Sequence, residues 1–365
     1  MNKSLSILIA LMGLTFIFSA CVEPNPVYTI PTSYNFENVN YSGQTQRLNM
    51  LTELKAYMTT ANTSGTAIDA SRMKAMFAND AETANFAGTY EESKQLKNKI
   101  LESEQGKFEA LMDEMATASQ STVAGEEGVS GVIESLNDEK QYLIGEDGLE
   151  HAQLIEKGIM GACFYYQGTA VYMGEGKMNV DNTEVTEGRG TTMEHHWDEA
   201  FGYLGVPKAF PSDQTGLQFW GKYINGRNEL LGSNAAVMNA FLKGRAAISN
   251  DDLATRDEAI SEARAAWELV SAGTALHYIN SGIENFDDMA LRAHGLSEAI
   301  AFIYSLKFNP EKTLNNEQID ALLVLIANSS DFAEMNLYQS TKANLEQAKN
   351  DLAAAFSLED KKDLF

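Results

Sequence analysis

The run Met193-Glu194-His195-His196-Trp197-Asp198-Glu199-Ala200-Phe201-Gly202-Tyr203 gathers two of the chain's five histidines with three carboxylates. On a helix, His195 and Glu199 lie one turn apart and His196 and Glu199 stand at i, i+3. Either imidazole can therefore share a face with that carboxylate. Imidazole and carboxylate on one helix are the groups from which bundles build metal sites. Trp197, Phe201 and Tyr203 point to burial of part of this helix, and a buried carboxylate is unfavourable unless paired or bound to a cation. The competing reading is an ion pair that only fixes the helix. The run contains neither His-Glu-Xaa-Xaa-His nor its inverse, the spacings of zinc peptidases. It also reverses the Glu-Xaa-Xaa-His order of di-iron carboxylate bundles.

Downstream, His294 and Glu298 repeat the one-turn spacing in a segment that becomes strongly apolar at Ile300. His277 follows Trp267, Val270 and Thr274 at helical spacing and points with a buried stripe. If the two His–Glu helices pack together, His195, His196, Glu199, His294 and Glu298, with His277, become the candidate ligands of a divalent metal. If they do not, that site dissolves. His151 beside Glu150 reads as a helix-end feature. Cys163, in Gly161-Ala162-Cys163-Phe164-Tyr165, suits a buried inert thiol. The chain has no Gly-Xaa-Ser-Xaa-Gly, no Walker loop and no dinucleotide fingerprint.

These residues must be held by helices. Leu48, Leu51, Leu54 and Met58 recur at helical spacing, as do Leu96, Ile100, Phe108, Leu111, Met112 and Met115, with Gly106 as an expected interruption. Residues 149–172 predict a central helix, 174–190 a long loop or small hairpin, and 191–204 a short helix stopped by Gly205 and Pro207. Further helices are expected over 228–248, 253–280, 286–306, 317–327 and 342–356, with Asn315 and Gln318 as a capping-box start. The fold class is all-α: about ten helices in one or two fused bundles, with few or no strands.

The N-terminus supplies an address. Lys3, an apolar run over 5–18, then Ser19, Ala20 and Cys21 read as a signal peptide over 1–20. That run is shorter than the about 20 apolar residues of a membrane span. Residues 21–43 form a tether containing three of the six prolines, with Tyr28, Tyr34, Phe36 and Tyr41 docking its later part. The helical domain follows over 44–365. A formal charge of −24 repels phosphate backbones and argues against nucleic acid as a partner.

Phe18-Ser19-Ala20-Cys21 resembles the lipobox of bacterial lipoproteins. That likeness implies an acylated Cys21, a membrane anchor, and an exported outer-membrane lipoprotein facing the periplasm or the cell surface. His196-Trp197-Asp198-Glu199 resembles the imelysin group, whose signature is Gly-Xaa-His-Xaa-Xaa-Glu. His196 and Glu199 match its His and Glu, whereas Glu194 stands at the glycine position. A further likeness is to a family of lipoproteins typical of Bacteroidetes, a domain of unknown function that is itself imelysin-like. It covers Tyr34-Asn35-Phe36-Glu37-Asn38-Val39, Tyr41-Ser42-Gly43-Gln44, the His195 to Tyr203 run, and His294 to Glu298. The resemblance implies helical bundles and, for His196 and Glu199 first, the handling of an iron-type metal. The alternative is a non-catalytic scaffold or nutrient-capture module, partnering an outer-membrane transporter, with structural histidines. A metallopeptidase comes third, because the run supplies too few ligands.

Overall fold

A computed structural model of the chain describes residues 27–365. The signal segment 1–20, Cys21 and the first part of the tether lie outside the described residues.

The apolar periodicity is realised as helix. Leu48, Leu51, Leu54 and Met58 are buried along Ser42–Thr59, and Phe108, Leu111, Met112 and Met115 along Glu102–Ala118. Gly106 does not break the second helix: it is exposed, and a Cβ there would meet open space. In the second half, the 32-residue helix Leu253–Glu284 packs between Ser233–Ser249 and Met289–Ser305, and also meets Lys342–Ala355. Asn316–Ala327 opens on the expected capping box. The Asn315 side chain accepts the Gln318 N–H, and the Gln318 side chain accepts the Asn315 N–H.

The described residues are mostly α, with fourteen helices, more than the about ten expected from pattern alone. The excess comes from short turns such as Ala81–Ala84 and Glu175–Met178, the latter inside the expected loop 174–190. It comes also from Gly232, whose φ of 63° separates Asn228–Leu231 from Ser233–Ser249. Glycine takes this conformation without the penalty a Cβ would bring. Among the described residues the strands are two, β1 (Gly131–Glu134) and β2 (Gln141–Ile144), an antiparallel hairpin pairing Val132 with Leu143. Ile133 and Ile144 seat it on Ala290 and Ala293 of Met289–Ser305.

The central element is α-helical over His151–Ile159 and continues in π-helical turns over Met160–Tyr165 and Gln167–Tyr172. Such widened turns rotate side chains onto faces that a regular helix would not give them. Most of this element is buried, and one large apolar cluster joins it to residues from Tyr34 to Leu358. The helix Thr192–Gly202 is wedged against Ser233–Ser249 by Trp197. The Trp197 indole donates to the Phe241 carbonyl at 3.0 Å, and a Cβ on Gly244 would lie 2.1 Å from the Trp197 ring. The tether docks as expected: Tyr34 is buried and stacks on Phe201 with ring centroids 3.7 Å apart. Among the described residues, no helix is long and apolar enough to cross a membrane.

Candidate functional site

Thr192–Gly202 starts in a capping box between Thr191 and Glu194, which orients everything that follows. Glu194 Oε2 accepts the Thr191 N–H at 2.9 Å, leaving Oε1 for Arg245 Nη1 at 2.5 Å. One turn on, Asp198 Oδ1 accepts from Arg245 Nε at 3.0 Å and from the Tyr34 hydroxyl at 2.8 Å. Burial pushes the Asp198 carboxyl up to about 6, although Arg245 and Tyr34 pull the other way. Glu194, Trp197 and Asp198 are thus positioning residues that clamp tether and helix to the core.

The opposite face carries His195 and Glu199, and it lines an open cavity of about 490 Å³. Glu199 Oε1 accepts from the Gln44 amide at 3.0 Å and from the Tyr172 hydroxyl at 3.1 Å. His195 Nε2 lies 3.8 Å from Glu199 Oε2. Burial lowers the His195 pKa while Glu199 opposes that shift, so the ring is neutral at pH 7 and above. Arg47, Lys99 and Arg189, with Glu91 and Lys94 as a pair, supply the other charged groups of the lining. Five separate segments therefore meet here: the first helix, the turn Lys97–Lys99, the end of the central element, the loop before Thr191, and the motif helix.

His196 points elsewhere. Its Nδ1 is 2.8 Å from the Lys177 carbonyl oxygen and its Nε2 is 3.4 Å from Lys177 Nζ. An ammonium can only donate, so Nε2 accepts and the Nδ1–H donates to the carbonyl. Both nitrogens are occupied, and the ring pins the short helix Glu175–Met178. Burial lowers its pKa; the hydrogen bond to the Lys177 carbonyl opposes that shift, while the Lys177 charge adds to it.

The later pair sits in a different place. His294 Nδ1 is 2.7 Å from Glu150 Oε2, and Nε2 is 3.5 Å from Glu298 Oε1. Tyr142 of β2 stacks on the ring, centroids 4.5 Å apart. The imidazole bridges two carboxylates through opposite nitrogens, so these three groups do not converge on one point. Behind them, buried Lys157 lies 3.0 Å from Glu156 Oε2 and 3.8 Å from Glu298 Oε1. Lys55 reaches Glu156 Oε1 at 2.9 Å, and the Tyr223 hydroxyl donates to Glu298 at 3.1 Å. Burial disfavours charge on His294, but the Glu150 hydrogen bond and the charges of Glu150 and Glu298 outweigh it and raise its pKa. A raised pKa stabilises the fold fully below the unfolded value of about 6.5, and that contribution is lost as pH rises through the folded value. His294→Gln should therefore be most destabilising below that pH and progressively less so above it. Urea unfolding of both proteins across pH 5–9 checks this; a gap that does not change with pH contradicts it.

The expected meeting of the two His–Glu pairs does not occur. Each pair forms as an i, i+4 contact, but their partners share no residue: Gln44 and Tyr172 for one, Glu150, Lys157 and Tyr223 for the other. His277 is in a third place, edge-on to Tyr278, with burial and Arg227 lowering its pKa. Among the described residues, no group of three His, Cys, Asp or Glu side chains is arranged to hold a metal ion. Cys163 is fully buried and its thiol is pushed up to about 12 by burial, as its setting among small and aromatic residues suggested. Arg47, Lys99, Tyr172 and Arg189 stand outside every motif of the sequence, and Gln44 enters only through the family likeness. One signal was present: Arg47 stands one turn before Leu51, on the apolar face of its helix.

No curated protein and no solved structure matches the chain. Over residues 31–359, which include both His–Glu pairs and the whole lining of the cavity, the sequence matches the family described as a domain of unknown function, DUF4856, and the chain belongs to that family.

Proposed function

We propose that this chain is an exported capture module, anchored through lipid on Cys21 at the outer membrane, that holds a small polar ligand in the cavity beside His195 and Glu199. The imelysin-like kinship and the Bacteroidetes lipoprotein type belong to the same proposal. One observation carries it: segments spread from Asn40 to Glu199 bring hydrogen-bonding and charged groups to one open cavity, within the size range of small-molecule sites. The reading is of binding rather than catalysis. His195 is half-buried against a carboxylate already engaged by Gln44 and Tyr172, and among the described residues it makes no side-chain hydrogen bond to a hydroxyl or thiol of the kind that marks an activated nucleophile.

A second reading, an iron-type metal, has one observation in its favour: Tyr172 adds a phenol oxygen to His195 and Glu199 around the same carboxylate. Against it stand Arg47, Lys99 and Arg189, whose charges repel a bare cation. A thermal-shift screen of the purified protein against neutral, anionic and cationic metabolites, with ferrous and ferric iron included, tests both readings. At least one compound should raise the melting temperature saturably, and Asn98→Trp, which places a bulky side chain in the exposed lining of the cavity, should remove most of that rise. A screen without a saturable hit, or hits that survive Asn98→Trp, contradicts the proposal; a hit confined to iron moves the function to the second reading.

A further inference from the structure

We infer that the cavity takes a small hydrophilic anion, a carboxylate or a phosphate, on Arg47 and Lys99; this rests on reading the cavity as a capture site and names its ligand class. Six lysines and arginines are buried among the described residues: Arg47, Lys157, Arg245, Arg256, Arg264 and Lys349. Five of them have a carboxylate partner: Glu156 for Lys157, Asp198 for Arg245, Asp257 for Arg256, Glu311 for Arg264 and Asp363 for Lys349. Arg47, only 4 % exposed, has none among the described residues. Its Nε donates to the Gln95 carbonyl at 2.8 Å and its Nη1 to the Gly43 carbonyl at 3.1 Å. Both acceptors are neutral, and Nη2 makes no hydrogen bond among the described residues although the side chain lines the cavity.

Lys99 repeats the pattern. It is half-buried, 3.4 Å from the Tyr172 hydroxyl and without a carboxylate partner among the described residues. Arg189 stands exposed at the rim, also without an ion pair there. Of the two acidic residues in the lining, Glu91 is 3.5 Å from Lys94, and Glu199 is engaged by Gln44, Tyr172 and His195. Three cations without an ion-pair partner among the described residues thus share one cavity, and with Lys94 they outnumber its two carboxylates, Glu91 and Glu199, in a chain of net charge −24. A buried guanidinium without an anion is unfavourable. An incoming carboxylate or phosphate removes that penalty, and its oxygens match the guanidinium fork. The rest of the lining, including Asn40, Ser42, Ser93 and Asn98, offers hydrogen bonds rather than apolar surface, which suits a hydroxylated body behind the acidic group.

Isothermal titration with glucuronate and glucose 6-phosphate, against glucose as the neutral counterpart, tests the inference. At least one of the two anions should bind and glucose should not. Added salt should weaken binding, and Lys99→Gln should weaken it at least about tenfold, as expected for loss of a charge-assisted hydrogen bond. Which anion binds decides between carboxylate and phosphate. Because Lys99 is half-exposed, its variant keeps the fold; Arg47→Gln serves as the second variant, with its melting temperature measured alongside. Glucose binding as tightly as the anions, or anion binding unchanged in Lys99→Gln, overturns the anion assignment and leaves the capture reading standing. No binding by any of the three, together with a metabolite and iron screen that gives no hit, overturns both.

Discussion

Arg245→Met should remove about 3–5 kcal/mol of folding stability at pH 8, the range for breaking a buried ion pair from one side. Arg245 is 1 % exposed and Asp198 is fully buried. Without the guanidinium, Asp198 Oδ1 keeps only the Tyr34 hydroxyl, and its Oδ2 has no partner to begin with. Glu194 also loses its cation. The effect depends on pH in a fixed direction. Asp198 titrates at about 6 in the folded chain, so at pH 5 it is already largely neutral and the loss should be smaller. Because Tyr34 and the Glu37 carbonyl are tied to the same cluster, limited proteolysis of the variant should begin in the segment around them. Urea unfolding at pH 8 and pH 5 is the check. A loss below about 1 kcal/mol at pH 8, the range of exposed pairs, would show that this cluster does not hold the motif helix in place.

Lys157→Met should be comparably severe, again about 3–5 kcal/mol. Among the described residues, the ammonium is the one cation paired with both Glu156 and Glu298. Burial works against its charge, but Glu156 and Glu298 outweigh that and raise its pKa, so it is charged at neutral pH. Glu156 keeps Lys55 after the substitution. Glu298 keeps His294 and the Tyr223 and Tyr278 hydroxyls, and as pH rises through its raised pKa the imidazole loses its proton. Neutralising the stranded carboxylate should help: Lys157→Met combined with Glu298→Gln should be more stable than Lys157→Met alone. Groups in one network couple in this way. Strict additivity of the two losses in urea unfolding would mean that Lys157 and Glu298 do not share a charge balance.

How far the sequence revealed this arrangement depends on the distance over which each interaction acts. Contacts within one turn were legible. His195 with Glu199 and His294 with Glu298 meet at 3.8 and 3.5 Å, and the Asn315–Gln318 cap forms as spaced. Burial near Trp197 followed from its aromatic neighbours. Periodicity says which face of a helix turns inward, not which helix receives it. Glu150 lies 144 residues before His294, and Gln44 lies 155 before Glu199. No local pattern joins them, so two similar His–Glu spacings suggested one shared site where the fold makes two. The hairpin was missed because each strand has only four residues, too short for alternation to stand out. The π-helical turns that carry Tyr172 have no composition signature. The basic side of the cavity was hidden by the acidic whole: a net charge averages over the surface, whereas Arg47 and Lys99 act within a few ångströms.

The claim on which the account turns is that ligand binds beside His195 and not at the other histidines. Ring resonances of the five histidines, followed by NMR while glucuronate or glucose 6-phosphate is titrated in, address it directly. Saturable movement of the His195 signal, with His277 and His294 unmoved, is the predicted result. Movement confined to His294 or His277, or an unchanged His195 at saturating anion, would contradict it.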